Sequence, residues 1–247
     1  MTCIQKALKH LQSKGNQDLD GTVFPLESVR LGAPVTNPTK IVCIGKAYMS
    51  HVQETDKVVP PDVMVAFHKA PTCLIGPKDR IVAKDLSQQL DYEIELAMVV
   101  GRKAKDVPER NAYDYVAGFT VMNDVSYRNP KGGNSRTSPV AKSPDTFAPL
   151  GPWIVTPDEI ENPMNLRLRS FVNGNPRQDA NTSTLLWDLR RMISFTSEFM
   201  TLLPGDVLST GTPGGNGIKD GSFLKEGDIV KCEIEGVGVL ENSVSTR

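Results

Sequence analysis

Asp91-Tyr92-Glu93-Ile94-Glu95-Leu96-Ala97-Met98-Val99-Val100 reads as a strand that carries carboxylates into an apolar core. Alternate residues of an extended chain share a face. Tyr92, Ile94, Leu96, Met98 and Val100 then form one face, and Asp91, Glu93, Glu95, Ala97 and Val99 the other. Two buried glutamates side by side would lose hydration and repel each other, so they need a cation or raised pKa values. A bound divalent metal meets that need. The competing reading, an acidic sheet face in solvent, is disfavoured by the apolar residues on either side of the acids.

Residues 116–125 (Val-Ala-Gly-Phe-Thr-Val-Met-Asn-Asp-Val) read as a second buried strand, and it too ends in an acid, Asp124. Asn123-Asp124 also suits a turn at a strand end. Together Glu93, Glu95 and Asp124 form a candidate site for Mg²⁺ or a similar ion, which takes oxygen ligands near ~2.1 Å. The chain has only three histidines (His10, His51, His68), which argues against a histidine-rich transition-metal site. Its four cysteines (Cys3, Cys43, Cys73, Cys232) include no close pair, so they read as reduced thiols rather than a zinc motif.

Composition narrows the function further. A formal net charge of -1 argues against a sequence-independent nucleic-acid binder, which needs a basic face. With 39% hydrophobic residues and no long apolar run, the 247-residue chain reads as soluble and able to bury a full core. No secretory signal is evident, and the expected compartment is cytoplasmic, or mitochondrial in a eukaryote.

Along the chain, residues 1–14 show helical spacing of Ile4, Ala7, Leu8 and Leu11, and Asp18-Leu19-Asp20-Gly21 reads as a turn. Residues 1–38 are expected to be a small segment packed on the core, with a catalytic domain over 39–247. Within that domain 40–45 and 63–69 read as strands, separated by a polar, proline-containing loop over 53–62. A short helix is expected at 111–115, a loop over 129–143, and strands at 153–156 and 165–172. Asn173-Gly174 is a hairpin turn. The clearest helix spans 183–202, where Leu185, Leu186, Leu189, Met192, Ile193, Phe195, Phe199 and Met200 recur at helical spacing. Beyond it, turns alternate with short strands. Many strands and few helices predict a β-dominated α+β fold.

Several further residues are candidates for chemistry. On one helical turn Glu54 would face His51 and hold its basicity, making the pair a candidate general base beside the loop, which could act as a lid. Arg128, Lys131 and Lys142 follow the second acidic strand and could hold a substrate carboxylate or a developing oxyanion, although loop lysines are often simply solvated. Lys69 could counter the carboxylates, and His68 reads as structural. Thr210-Gly211-Thr212-Pro213-Gly214-Gly215 is no phosphate loop, because no Lys-Ser or Lys-Thr closes it. Its glycines could let backbone approach a ligand, with a threonine hydroxyl at hand.

In this order the residues resemble the fumarylacetoacetate hydrolase superfamily: Gly45, Tyr48, His51-x-x-Glu54, Phe67-x-Lys69, Asp91-Tyr92-Glu93-x-Glu95-Leu96 and Asn123-Asp124-Val125-Ser126-x-Arg128. Lys142-Ser143-x-Asp145-Thr146-Phe147-x-Pro149-Leu150-Gly151-Pro152, Pro204-Gly205-Asp206 and Thr210-Gly211-Thr212-Pro213 extend the resemblance. It implies a mixed β-roll or β-sandwich, usually a homodimer, with Mg²⁺ or Mn²⁺ on Glu93, Glu95 and Asp124. It also implies a lid bearing His51 and Glu54, with Lys142, Arg128 and Thr212 at substrate-contacting positions. The chain resembles the short form without the large N-terminal domain, which includes acylpyruvate hydrolases, oxaloacetate decarboxylases and diacid isomerases. Lys131 stands where many members have glutamine, and Ala47 where asparagine is common, which leaves the substrate open.

The activity expected first is metal-dependent C–C hydrolysis or decarboxylation of a small 2-oxo or 1,3-diketo acid through a metal-stabilised enolate. An isomerase or tautomerase of a 2-hydroxy-diene-dioate is the alternative. An inactive metal-binding homologue is the non-enzymatic one.

Overall fold

The computed structural model describes residues 24–54 and 63–247, together with residue 13. The helix expected over 1–14, the turn at 18–21 and the lid loop beyond Glu54 therefore lie largely outside the described residues. The chain divides into two compact units, Met1–Leu31 and Gly32–Arg247. In the first, the described residues hold one 3₁₀ turn, Leu26–Ser28.

The second unit is built mainly of strands: β1 (Ile41–Gly45), β2 (Val65–Lys69), β3 (Leu74–Ile75), β4 (Arg80–Ala83), β5 (Leu90–Asp91), β6 (Ile94–Val100) and β7 (Val116–Asn123). These are followed by β8 (Ser126–Tyr127), β9 (Ala148–Val155), β10 (Arg167–Val172), β11 (Asn175–Asn181), β12 (Val207–Ser209), β13 (Ile229–Ile234) and β14 (Gly238–Thr246). Among the described residues three α-helices punctuate them: α1 (Met49–Glu54), α2 (Pro139–Lys142) and α3 (Leu189–Phe199). A seven-stranded sheet runs β2-β1-β12-β6-β7-β9-β3, a five-stranded sheet runs β11-β10-β13-β14-β4, and β5 pairs with β8. The fold is β-dominated with few helices, as the strand pattern predicts.

All seven residues of β6 are buried. It is a central strand between β12 and β7, and β10 and β13 of the other sheet pack against it. The single strand expected over 91–100 is, however, broken at Tyr92-Glu93. Side chains replace the ladder there: Asp91 Oδ1 accepts the Tyr92 N–H, Asn123 Oδ1 the Glu93 N–H and Gln178 Oε1 the Ile94 N–H, at 2.9, 2.9 and 3.1 Å. Buried backbone groups must be paired, and these bonds do so without a neighbouring strand.

The long helix is also shorter than its apolar spacing suggests. Thr182–Thr184 forms a 3₁₀ turn, and Asp188 caps α3 by accepting the Arg190 N–H at 2.7 Å. Leu185 and Leu186 pair instead with Tyr48 and Ala47, tying this segment to the start of α1. The helix expected at 111–115 is a 3₁₀ helix over Glu109–Tyr115. Asn173 and Gly174 take φ of 54° and 78°, the left-handed pair that a tight hairpin requires, and join β10 to β11. Cys43, Cys73 and Cys232 are free and buried.

Candidate active site

Three backbone placements bring the carboxylates together. Glu95 lies in β6, next to β12, which inserts parallel to β1 with Cys43 opposite Ser209. Asp124 follows β7, and its N–H donates to the Glu93 carbonyl at 2.9 Å. The β5–β8 ladder sets Asp91 opposite Ser126, so Arg128 emerges beside the acids.

Each acid then finds a different partner. Asp91 accepts Arg128 Nε at 2.7 Å and the Gly217 N–H at 2.7 Å. Glu93 lies 2.6 Å from Arg128 Nη2 and 2.7 Å from Lys142 Nζ. Asp124 takes Lys69 on one oxygen and Lys142 on the other, both at 2.6 Å. Among the described residues Glu95 has only neutral donors: its Oε2 accepts from the Ser209 hydroxyl and, at 3.1 Å, from the Gly211 N–H. Gly211 sits at φ 89°, and a Cβ there would meet the Ile44 carbonyl at 2.5 Å. The glycine is thus what lets backbone approach Glu95.

These partners set the charge states. Burial alone would raise the Glu93 carboxyl, but Arg128 and Lys142 overcome it and hold the pKa well below the usual range. Burial likewise opposes charge on Arg128 and Lys142, and the surrounding carboxylates reverse it, so both stay firmly cationic. Glu95 goes the other way. Burial, then Asp124 and Glu93, push its pKa well up. Burial also raises the Cys43 thiol, which stays protonated.

The donor set fits a hard divalent cation. Glu95 is a buried carboxyl with no ion pair among the described residues, and ligand atoms of Glu95, Asp124 and Cys43 lie within 4.8 Å of one another, while the Glu93 oxygens are taken by Arg128 and Lys142. Carboxylate oxygens are the ligands such an ion prefers, and its charge would answer the repulsion that raises Glu95.

A cleft of about 590 Å³ opens over this floor. Seven of the residues singled out from sequence line it: Glu93, Glu95, Asp124, His51, Arg128, Lys142 and Thr212. His51, on α1, puts Nε2 at 3.9 Å from Glu93 Oε1, and burial lowers its pKa to about 4, more than Glu93 can raise it. The imidazole is therefore neutral near pH 7.

Three others are placed differently. Glu54 turns both oxygens to the Gly215 N–H, 3.0 Å each, with Lys219 at 3.8 Å, so in this structure it braces the 210–215 loop. Lys69 is buried behind Asp124, where it also donates to the Val125 carbonyl at 3.0 Å, and does not line the cleft. Lys131 is exposed and pairs with Asp85 at 3.0 Å, because its 3₁₀ turn points the side chain outward. Thr212 lines the cleft, but its hydroxyl donates to the Ile94 carbonyl at 2.9 Å and accepts from Gln178, a structural commitment. His68 lies exposed on edge strand β2 rather than in the core.

Sequence reasoning missed Ser209, Asn216, Lys46 and Arg136. Ser209 ends a strand whose parallel insertion beside β1 has no local signature. Asn216 Nδ2 donates to Glu93 at 3.2 Å from a stretch that reads only as glycine-rich loop. Lys46 and Arg136 look like ordinary loop cations until the cleft gathers them.

The model of the fumarylacetoacetate (FAA) hydrolase C-terminal family matches residues 40–245. The mitochondrial oxaloacetate tautomerase fahd2 of Xenopus laevis is 41% identical over 235 residues, covering 94% of this chain and 73% of that protein. The mitochondrial oxaloacetate tautomerase FAHD2A of Bos taurus is 42% identical, covering 90% and 71%. Among solved structures, a 5-carboxymethyl-2-hydroxymuconate delta-isomerase from Mycobacterium smegmatis superposes with TM-score 0.80 at 42% identity, covering 91% and 85%. A maleylpyruvate hydrolase from Sphingobium sp. SYK-6, in complex with manganese(II) and pyruvate, gives TM-score 0.79 at 31% identity, covering 97% and 83%. The chain belongs to the fumarylacetoacetate hydrolase family. A divalent metal suits both its donor set and this relative.

Proposed function

We propose that the protein is a divalent-metal-dependent tautomerase of small 2-oxo acids, with oxaloacetate the first substrate to test. The observation that carries this reading is a neutral His51 imidazole beside a fixed cation, Lys142, over the carboxylate floor. Tautomerisation needs one base and a stabilised oxygen, and no attacking water.

Glu93, Glu95 and Asp124 would hold the ion, Mg²⁺ or Mn²⁺, which when bound supplies positive charge to a 2-oxo group. His51 would take the proton from C3 of the keto acid, and the electron pair of that C–H bond would form the C2–C3 double bond. Returning the proton to the C2 oxygen gives the enol, with atoms and charge balanced. Lys142 would stabilise negative charge on that oxygen in between. Arg128 would set the orientation of Glu93.

C–C hydrolysis or decarboxylation, the activity expected first from sequence, is the second reading. The likeness to a maleylpyruvate hydrolase supports it. It would call for Glu54 to leave Gly215 and support His51 in activating water. A homodimer located in the cytoplasm or, as the relatives' names suggest, in mitochondria belongs to the same proposal.

The test is to follow the enol absorbance of oxaloacetate alongside pyruvate release, with Mg²⁺ or Mn²⁺ and with chelator. Faster keto–enol relaxation without pyruvate is expected. Pyruvate as the main enzymatic product would favour the second reading, and no acceleration with either ion would sink the first.

A further inference from the structure

The charges around the cleft fall into two sets. On the floor, Asp91, Glu93 and Asp124 are met by Arg128, Lys142 and Lys69, while Glu95 awaits a metal. On the wall stand two more cations, Lys46 and Arg136, and neither has a carboxylate partner among the described residues.

Both are positioned rather than adrift. Arg136 donates Nε to the carbonyl of Arg128 at 3.1 Å, so the residue that grips Glu93 also anchors this second guanidinium. Its terminal nitrogens have no acceptor among the described residues. Lys46 directly follows β1 at φ 55°, a left-handed conformation that a non-glycine residue adopts only against steric strain. The His51 pKa, lowered chiefly by burial, is lowered further by Arg128, Lys142 and Lys46, so the Lys46 charge reaches the proposed base. Two unanswered cations facing one cleft make an electrostatic site for an anion.

We infer that Lys46 and Arg136 form a second carboxylate-binding subsite, which holds the substrate carboxylate remote from the 2-oxo group and makes the enzyme selective for diacids. This inference rests on the reading of the floor as a 2-oxo acid site. The floor would take the 2-oxo acid end, and the wall the other end. Arg136 suits that task because a guanidinium can meet a carboxylate with two parallel N–H bonds, while Lys46 adds a point charge.

The test is calorimetric titration of the Mg²⁺-loaded protein with three probes. Oxalate reports the metal end. Oxaloacetate, at its keto–enol equilibrium, and 2-oxobutyrate are four-carbon 2-oxo acids ending in carboxylate and methyl. The wild type is expected to bind oxaloacetate at least about tenfold tighter than 2-oxobutyrate, the scale of a charged hydrogen bond. Lys46→Gln and Arg136→Gln should each remove much of that preference and the double variant all of it. Arg136→Lys should retain part. Oxalate and 2-oxobutyrate affinities should stay within about twofold of wild type, which also shows that the variants are folded.

A double variant that keeps the preference would overturn the subsite. So would a wild type with none, or variants that lose all three ligands together. Failure of the 2-oxo acid reading looks different: the wild type would then not bind oxalate even with Mg²⁺.

Discussion

Replacing Glu95 by glutamine is expected to raise the melting temperature of the metal-free protein and to abolish its response to Mg²⁺. Glu95 Oε2 alone accepts both of the residue's hydrogen bonds, from Ser209 and Gly211, so a glutamine oxygen in that place preserves both. What is lost is the charge. Glu95 and Asp124 offer oxygens within 4.8 Å of each other. At an effective dielectric constant near 20, like charges at that separation repel by roughly 3 kcal/mol. Lys142 and Lys69 offset part of this, leaving about 1–2 kcal/mol in favour of the variant. For a chain of this size that corresponds to about 2–8 °C. The gain should depend on pH. A carboxyl whose folded pKa lies above its unfolded value is harmless below the latter and loses stability as pH rises towards the former. The advantage of Glu95→Gln should therefore vanish near pH 4 and grow towards neutrality. With metal the order reverses, since an ion at a hundred times its Kd adds about 2.7 kcal/mol to the wild type. Scanning calorimetry in chelator and in Mg²⁺ should thus give melting curves that change places. A variant that melts lower in chelator, or that gains as much from Mg²⁺ as the wild type, refutes the assignment of Glu95 as the strained carboxyl that calls for the metal.

Other substitutions separate roles within the same cluster. Lys69→Met removes a buried partner of Asp124, which keeps Lys142, so a loss at the lower end of the ~3–5 kcal/mol range for broken buried pairs is expected in urea unfolding. His51→Gln should lower kcat by about 10²–10⁴-fold while leaving the Mg²⁺-induced rise in melting temperature intact. A loss of both would make His51 structural. In chelator, the wild type should lose stability as pH falls from about 6.5 to 4, because the unfolded histidine takes up its proton before the folded one, lowered to about 4. His51→Gln should flatten that interval in stability measured against pH. Lys131→Ala, which changes only an exposed pair with Asp85, should leave KM for the substrate unchanged, and a clear rise would put this side chain back in the site.

The buried acids were legible because burial of Glu93 and Glu95 is written in the apolar residues around them, and both are indeed buried. The hairpin at Asn173-Gly174 was legible because φ above zero restricts residue choice. Three features were not. The break at Tyr92-Glu93 depends on Asn123 and Gln178, side chains 30 and 84 residues away from the N–H groups they accept. The short helix α2, which presents Lys142, follows a stretch of glycine, serine and lysine that reads as loop, although Pro139 at its first turn is a fair starting signal. Glu54 obeys the helical spacing that pairs it with His51, yet the Gly215 N–H claims it. Spacing along a helix shows which residues share a face, and cannot show what lies opposite that face.

The place of β12 has a consequence for assembly of the molecule. Only three residues long, it lies between β1 and β6, and so joins the strand of Cys43 to the strand of Glu95 with Ser209 and the turn that follows it. Residues 41–45 and 94–100 cannot become sheet neighbours through it until residues 207–209 have left the ribosome. Pairings so distant in sequence are slow to close. A nascent chain can thus bring Glu93, Glu95 and Asp124 together across β6 and β7 early, whereas the Ser209 and Gly211 donors that fix Glu95 arrive only as the sheet is completed.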